Sequence, residues 1–132
     1  MGSKTYETLL QMREQNPLRK RRRKEIAVVS RGIRAGEHPE IILVEEDVVR
    51  YVAEVKAQEG RDIWLFGGAE LARFLLEGRL VDAVEIATMP VLLVRGVKMV
   101  SDGERNEWEL NLRSVEKLKS GALMCEYDVM YN

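Results

Sequence analysis

The sequence predicts an α/β fold with a mixed sheet. Short apolar runs alternate with helix-patterned segments from Ile26 to Leu93, and glycine or proline closes most of them. The stretch from Trp108 to Tyr131 instead reads as two strands around Ser120-Gly121. An antiparallel hairpin following alternating strands and helices calls for a sheet with both kinds of pairing.

The elements follow in order. "SKTYETLLQMREQ" sets Tyr6, Leu9, Leu10 and Met12 near helical spacing, with Ser3 as the cap and Pro17 as the stop. "IAVVS" is a buried strand, "RGIRAGEHPE" a loop and "IILV" (Ile41 to Val44) a short strand. Val48, Val49, Val52 and Val55 form a helix face that Gly60 ends. "IWLF" (Ile63 to Phe66) is the third strand, "AELARFLLE" a helix stopped by Gly78, and "AVEIATMPVLL" a strand with Pro90 near its end. In the last strand Leu123, Cys125, Tyr127, Val129 and Tyr131 alternate with more polar neighbours, so one sheet face is better buried. Trp108 and Met99 are expected to pack in the core.

The 132 residues fit one domain, 1–132, with 45% apolar and 33% charged residues. A formal net charge of −1 provides no global attraction to nucleic acid or anionic membrane. No apolar run approaches the ~18–20 residues of a membrane span, and no signal peptide opens the chain. With the single Cys125, read as a core thiol, this points to the cytoplasm. His38 stands apart from other histidine or cysteine ligands, so no metal site is expected.

Three short motifs share one chemical logic. Gly67 and Gly68 sit where an apolar strand meets a helix, and a ligand could lie against backbone there without meeting a Cβ. Unpaired N–H groups at the helix start suit a phosphate. "MGSKTYE" sets Gly2, Ser3, Lys4 and Thr5 at another helix start, and Ser30-Arg31 follow a buried strand. A multi-phosphate ligand crossing several strand ends would use all three. The basic run Arg19 to Lys24 reads as a solvated loop, with a nucleic-acid role the weaker alternative. Glu77 and Asp82 are expected in solvent, and Glu70 favours the first helical turn. No Ser/His/Asp set or paired catalytic carboxylates support hydrolysis.

"IWLFGGAELARFLLEGRLVDAVEIATMPVLL" resembles the bacterial dihydrofolate reductase-like proteins grouped with the C-terminal reductase domain of RibD, the riboflavin-biosynthesis enzyme. "MGSKTYE", "IAVVSR" and "SGALMCEYDV" are similar to flanking segments of that family, in the same order over essentially the whole chain. The resemblance implies a dihydrofolate reductase-like three-layer fold. It also implies an NADPH-dependent reduction of a pterin or a ribosylaminopyrimidine. Phe66, Gly67, Gly68, Ala69, Glu70 and Leu71 would hold the diphosphate and border the nicotinamide. Gly2, Ser3, Lys4 and Thr5 would lie at the phosphates, and Ser30 and Arg31 near the adenosine 2′-phosphate. It further implies a cis Gly67–Gly68 peptide.

Three departures stand out. Ser3 occupies the family's arginine position, which weakens the preference for NADPH over NADH. "LVRGVKMV" replaces a Leu-Gly-x-Gly-x-Pro-Leu-Phe pattern. The family also carries several dozen residues ahead of Met-Gly-x-Lys-Thr, including a central strand and, in dihydrofolate reductases, the catalytic acid. Here the chain starts at that motif, so either the start is displaced or a partner or rearranged sheet fills the gap. A homodimer, formed through strand exchange at the uncovered edge, is the expectation. A catalytically silent nucleotide-binding or dimerisation module is the alternative to a reductase.

Overall fold

A computed structural model describes residues 1–20, 25–34 and 36–132. Residues 21–24 of the basic run lie outside the described residues. The element order is α1 (Ser3–Gln11), β1 (Ala27–Val29), β2 (Ile42–Val44), α2 (Val48–Lys56), α3 (Ala69–Glu77), β3 (Ala83–Thr88), β4 (Glu109–Lys117) and β5 (Leu123–Met130). One turn of 3-10 helix, Arg13–Gln15, extends α1.

Both kinds of strand pairing are present. β1 and β2 pair in parallel, with Val28 opposite Leu43. β3, β5 and β4 form an antiparallel sheet in that order, with a register shift between Leu112 and Ser114. Gly121, at φ 86°, turns the β4–β5 hairpin at the predicted position. Tyr6, Val28 and Ile33 form a buried cluster, with Met1, Ile26, Ile41 and Leu43 packed against it. Leu71, Leu75 and Leu76 bury the inner face of α3.

Several expectations need correction. Ile63–Phe66 is not a ladder strand, because no strand lies beside it among the described residues to take its backbone groups. β3 stops at Thr88 rather than Leu93: its partner begins at Leu123, opposite Thr88, and Pro90 cannot donate to a ladder. Ser3 is not the cap of α1; Gly2 is, without a side-chain hydrogen bond. α2 ends at Lys56, before Gly60, and Asp47 caps its start by accepting from the Arg50 N–H at 3.1 Å. Met99 is exposed instead of packed, and Glu77 is partly buried by its ion pair with Arg73. Asp82 faces solvent as expected, while pairing with Lys56.

Gly78 closes α3 against α2. A Cβ there would lie 2.9 Å from Val49 Cγ1 and 3.2 Å from the Phe74 carbonyl oxygen. Gly78→Ala therefore forces the helices apart and costs about 1–3 kcal/mol, read as a lower urea midpoint with unchanged slope.

Candidate nucleotide site

Backbone hydrogen bonds bring the three remote motifs into one row. The Val29 N–H donates to the Met1 carbonyl at 2.8 Å, and Gly2 forms a parallel bridge with Val29. On its other side, the Gly2 N–H donates to the Gly67 carbonyl at 3.1 Å. Gly2 thus joins the end of β1, and with it Ser30-Arg31, to the glycine pair. The cause is chain geometry: each segment ends an extended run at the same edge and then turns away.

Two helices start at this row. Gly2 caps α1 and Gly68 caps α3, and neither makes a side-chain capping bond. The first N–H groups of both helices are therefore uncapped by side chains, and two positive dipole ends converge at Gly2 and Gly67. The Gly67–Gly68 peptide is cis, as the resemblance implied, and Gly67 has φ 117°. The Thr5 side chain is the nearest neighbour of both glycines: a Cβ on Gly68 would lie 3.6 Å from Thr5 Oγ1. Glu70 is exposed in the first turn of α3. Leu71 has its side chain buried, so only its backbone can reach a ligand.

The far end of the row is more polar. Ser30 Oγ accepts from the Gly32 N–H at 3.1 Å and the Ile33 N–H at 3.2 Å, so the hydroxyl shapes the turn that presents Arg31. Arg31 lines an open cavity of about 550 Å³ together with Glu45 and Glu46. Sequence reasoning missed these two carboxylates as site groups, although "VEED" directly after an apolar run was the available signal. A second cluster was also missed. Buried Tyr6 donates its hydroxyl to Glu40 Oε1 at 2.7 Å, with His38 Nδ1 3.3 Å from the same oxygen.

Burial, then the bond to Glu40, pushes the Tyr6 hydroxyl up to about 12. The Tyr6 bond, first among its causes, holds the Glu40 carboxyl below its ordinary value. A raised tyrosine favours the fold below about pH 10, and that contribution fades as pH rises toward about 12. The lowered Glu40 contributes above its unfolded value and loses this as pH falls through the folded one. Tyr6→Phe is thus expected to be closest to wild type in stability at the two pH extremes and furthest below it near neutrality. Urea titrations across pH check this.

At the other end, Arg73 holds the start of the β4 approach to α3. Its guanidinium donates to Glu77 Oε2 at 3.0 Å and to Ser101 Oγ at 3.2 Å, while the Ser101 N–H donates to the Ala69 carbonyl at 3.1 Å. Ser101 is therefore fastened beside the first turn of α3, while residues from Val91 to Met99 stand exposed.

The RibD C-terminal domain profile matches residues 3–124 of the chain. Uncharacterized protein YyaP of Bacillus subtilis (strain 168) is 30% identical over 88 residues, which cover 65% of this chain and 45% of YyaP. Uncharacterized protein YwjB of the same organism is 27% identical over 77 residues, covering 58% and 44%. The match spans less than half the length of each relative. The crystal structure of a "Putative riboflavin biosynthesis protein" from Shewanella sp. PV-4 superposes with a TM-score of 0.75 at 21% identity, over 99% of this chain and 72% of that one. That likeness shows a common fold, of dihydrofolate reductase type. Among the described residues, no helix is long and apolar enough to cross a membrane.

Proposed function

Because the chain belongs to the RibD C-terminal domain family, we propose that it binds a nicotinamide dinucleotide across Ser30-Arg31, Gly2–Thr5 and Phe66–Leu71 and serves in hydride transfer to a pterin or ribosylaminopyrimidine-like substrate. The observation that carries this reading is the Gly2 bridge, which sets two uncapped helix starts and the glycine pair side by side. A diphosphate fits such a place: the N–H groups offer donors, and Gly67 and Gly68 leave the backbone uncovered. Lys4 is exposed beside the first turn of α1 and adds a cation. When bound, the nicotinamide would supply the hydride.

The chain's own residues would do the rest. The helix starts hold the diphosphate, Thr5 keeps a hydroxyl next to it, and Arg31 attracts the adenosine end. Glu70 is the one carboxylate in the first turn of α3, where it can accept a hydrogen bond from a ligand amide or hydroxyl. No residue of the row is assigned as a catalytic acid.

NADPH titration followed by Trp64 and Trp108 fluorescence tests the binding step. Saturation is expected, and absence of binding up to millimolar cofactor removes the proposal. NADPH oxidation in the presence of dihydrofolate or the ribosylaminopyrimidine then separates a reductase from a silent nucleotide-binding module.

A further inference from the structure

β1 and β2 run in parallel, so the residues that follow them leave the sheet at the same end. The Ser30 N–H donates to the Val44 carbonyl at 3.1 Å, which sets Ser30-Arg31 beside Glu45-Glu46. Arg31, Glu45 and Glu46 then line one open cavity of about 550 Å³. All three residues are exposed, and none of the ion pairs among the described residues joins Arg31 to either carboxylate. A guanidinium and two carboxylates thus border the same space without being spent on one another.

The groups around this cavity are poorly suited to an anion. Asp47, the next residue along, accepts from the Arg50 N–H at 3.1 Å and closes the start of α2 with a carboxylate. α1 and α3 have no side-chain cap. Capacity for a phosphate is therefore open at Gly2 and Gly68, where the diphosphate is assigned, and filled at the α2 end. Ser30 Oγ already accepts from the Gly32 and Ile33 N–H groups, so its hydroxyl keeps one hydrogen to donate.

We propose that Glu45 and Glu46 decide which dinucleotide this site takes: they accept from the free 2′- and 3′-hydroxyls of the adenosine ribose and repel a 2′-phosphate, so the chain prefers NADH to NADPH. This rests on the nucleotide reading above and names the ligand within it. The two ligands differ at this end in charge and in hydrogen-bond sense. A ribose diol is neutral and donates two hydrogen bonds, for which carboxylates are the matching acceptors. In dinucleotide-binding α/β folds a carboxylate serves the 2′-hydroxyl and an arginine the 2′-phosphate. A phosphate monoester carries a charge of about −1.5 to −2 and brings further acceptor oxygens. Arg31 alone would favour it. Two carboxylates lining the same cavity as one guanidinium reverse that balance. Because all three charges are exposed, the preference is modest, roughly three- to tenfold at low salt.

Parallel calorimetric titrations of the 132-residue chain with NADH and NADPH at low ionic strength test this. NADH is expected to bind about three- to tenfold more tightly. ADP-ribose and its 2′-phosphate should follow the same order, since they differ only at the ribose. Glu45→Gln combined with Glu46→Gln should abolish or reverse the preference by tightening NADPH. Glu85→Gln combined with Glu116→Gln removes two exposed carboxylates from the antiparallel sheet and should leave the ratio as in the wild type. NADPH binding as tightly as NADH, or more tightly, overturns the assignment and leaves the nucleotide site standing. So does a preference that survives the Glu45 and Glu46 replacements, or one that falls equally in the matched double variant. A chain that binds neither dinucleotide up to millimolar concentration ends the nucleotide reading itself, and this assignment with it.

Discussion

Gly67→Ala is expected to lower both the melting temperature and the affinity for a nicotinamide dinucleotide. The cause is backbone geometry rather than crowding. An added Cβ would meet only Thr5, at 3.8 Å, an ordinary contact, but φ at Gly67 is 117°, a region that side chains with a Cβ rarely enter. Holding alanine there costs about 1–3 kcal/mol. Relaxing it rotates the peptide whose carbonyl accepts from Gly2 at 3.1 Å, and that bond aligns the two helix starts. We expect a melting point lower by about 4 °C per kcal/mol for a domain of this size. The dissociation constant should rise by roughly tenfold or more, equivalent to about 1.4 kcal/mol. Scanning calorimetry and fluorescence titration read the two effects separately. Gly60→Ala, where a Cβ meets nothing within 4 Å, is the control and should change neither.

The second large effect concerns cofactor choice. Arg31 shares its cavity with Glu45 and Glu46, so a 2′-phosphate there would meet one cation and two anions. Arg31→Leu should weaken NADPH about tenfold while leaving NADH nearly unaffected, because the lost partner is a charge-assisted one. Replacing Glu45 and Glu46 together by glutamine should shift preference toward NADPH, by roughly 3–10-fold, since each exposed charge is worth at most about 1 kcal/mol. Both shifts should shrink in high salt, where interactions at this separation are screened. Parallel titrations with the two cofactors at low and high ionic strength provide the check.

Much of this architecture is readable from residue pattern. α3 runs from the glycine pair to Gly78 because its apolar positions follow helical spacing and both ends carry residues that cannot continue a helix comfortably. The β4–β5 hairpin turns at Gly121 for an equally local reason, a positive φ. The Gly67–Gly68 pair stood out in the sequence by its place ahead of a helix, and its cis peptide agrees with what the resemblance implied.

What escaped the sequence depends on neighbours. Ile63–Phe66 has the composition of a buried strand, yet pairing is a property of two backbone segments, and among the described residues no strand lies alongside it. Val91–Leu93 reads as the continuation of β3 until the shorter partner strand is known. The Glu45–Glu46 pair was passed over because its proximity to Arg31 arises from the β1–β2 register, which no local pattern encodes. The Tyr6–His38–Glu40 cluster similarly joins residues more than thirty positions apart.

One ligand spanning the three motifs that Gly2 holds together would make them respond as a unit. Amide chemical shifts of the labelled chain, recorded while NADPH is added, test it most directly. Saturable shifts concentrated at Gly2–Thr5, Ser30-Arg31 and Phe66–Leu71, moving together along one binding curve, are expected. Shifts confined to other surfaces, or none up to millimolar cofactor, would contradict it.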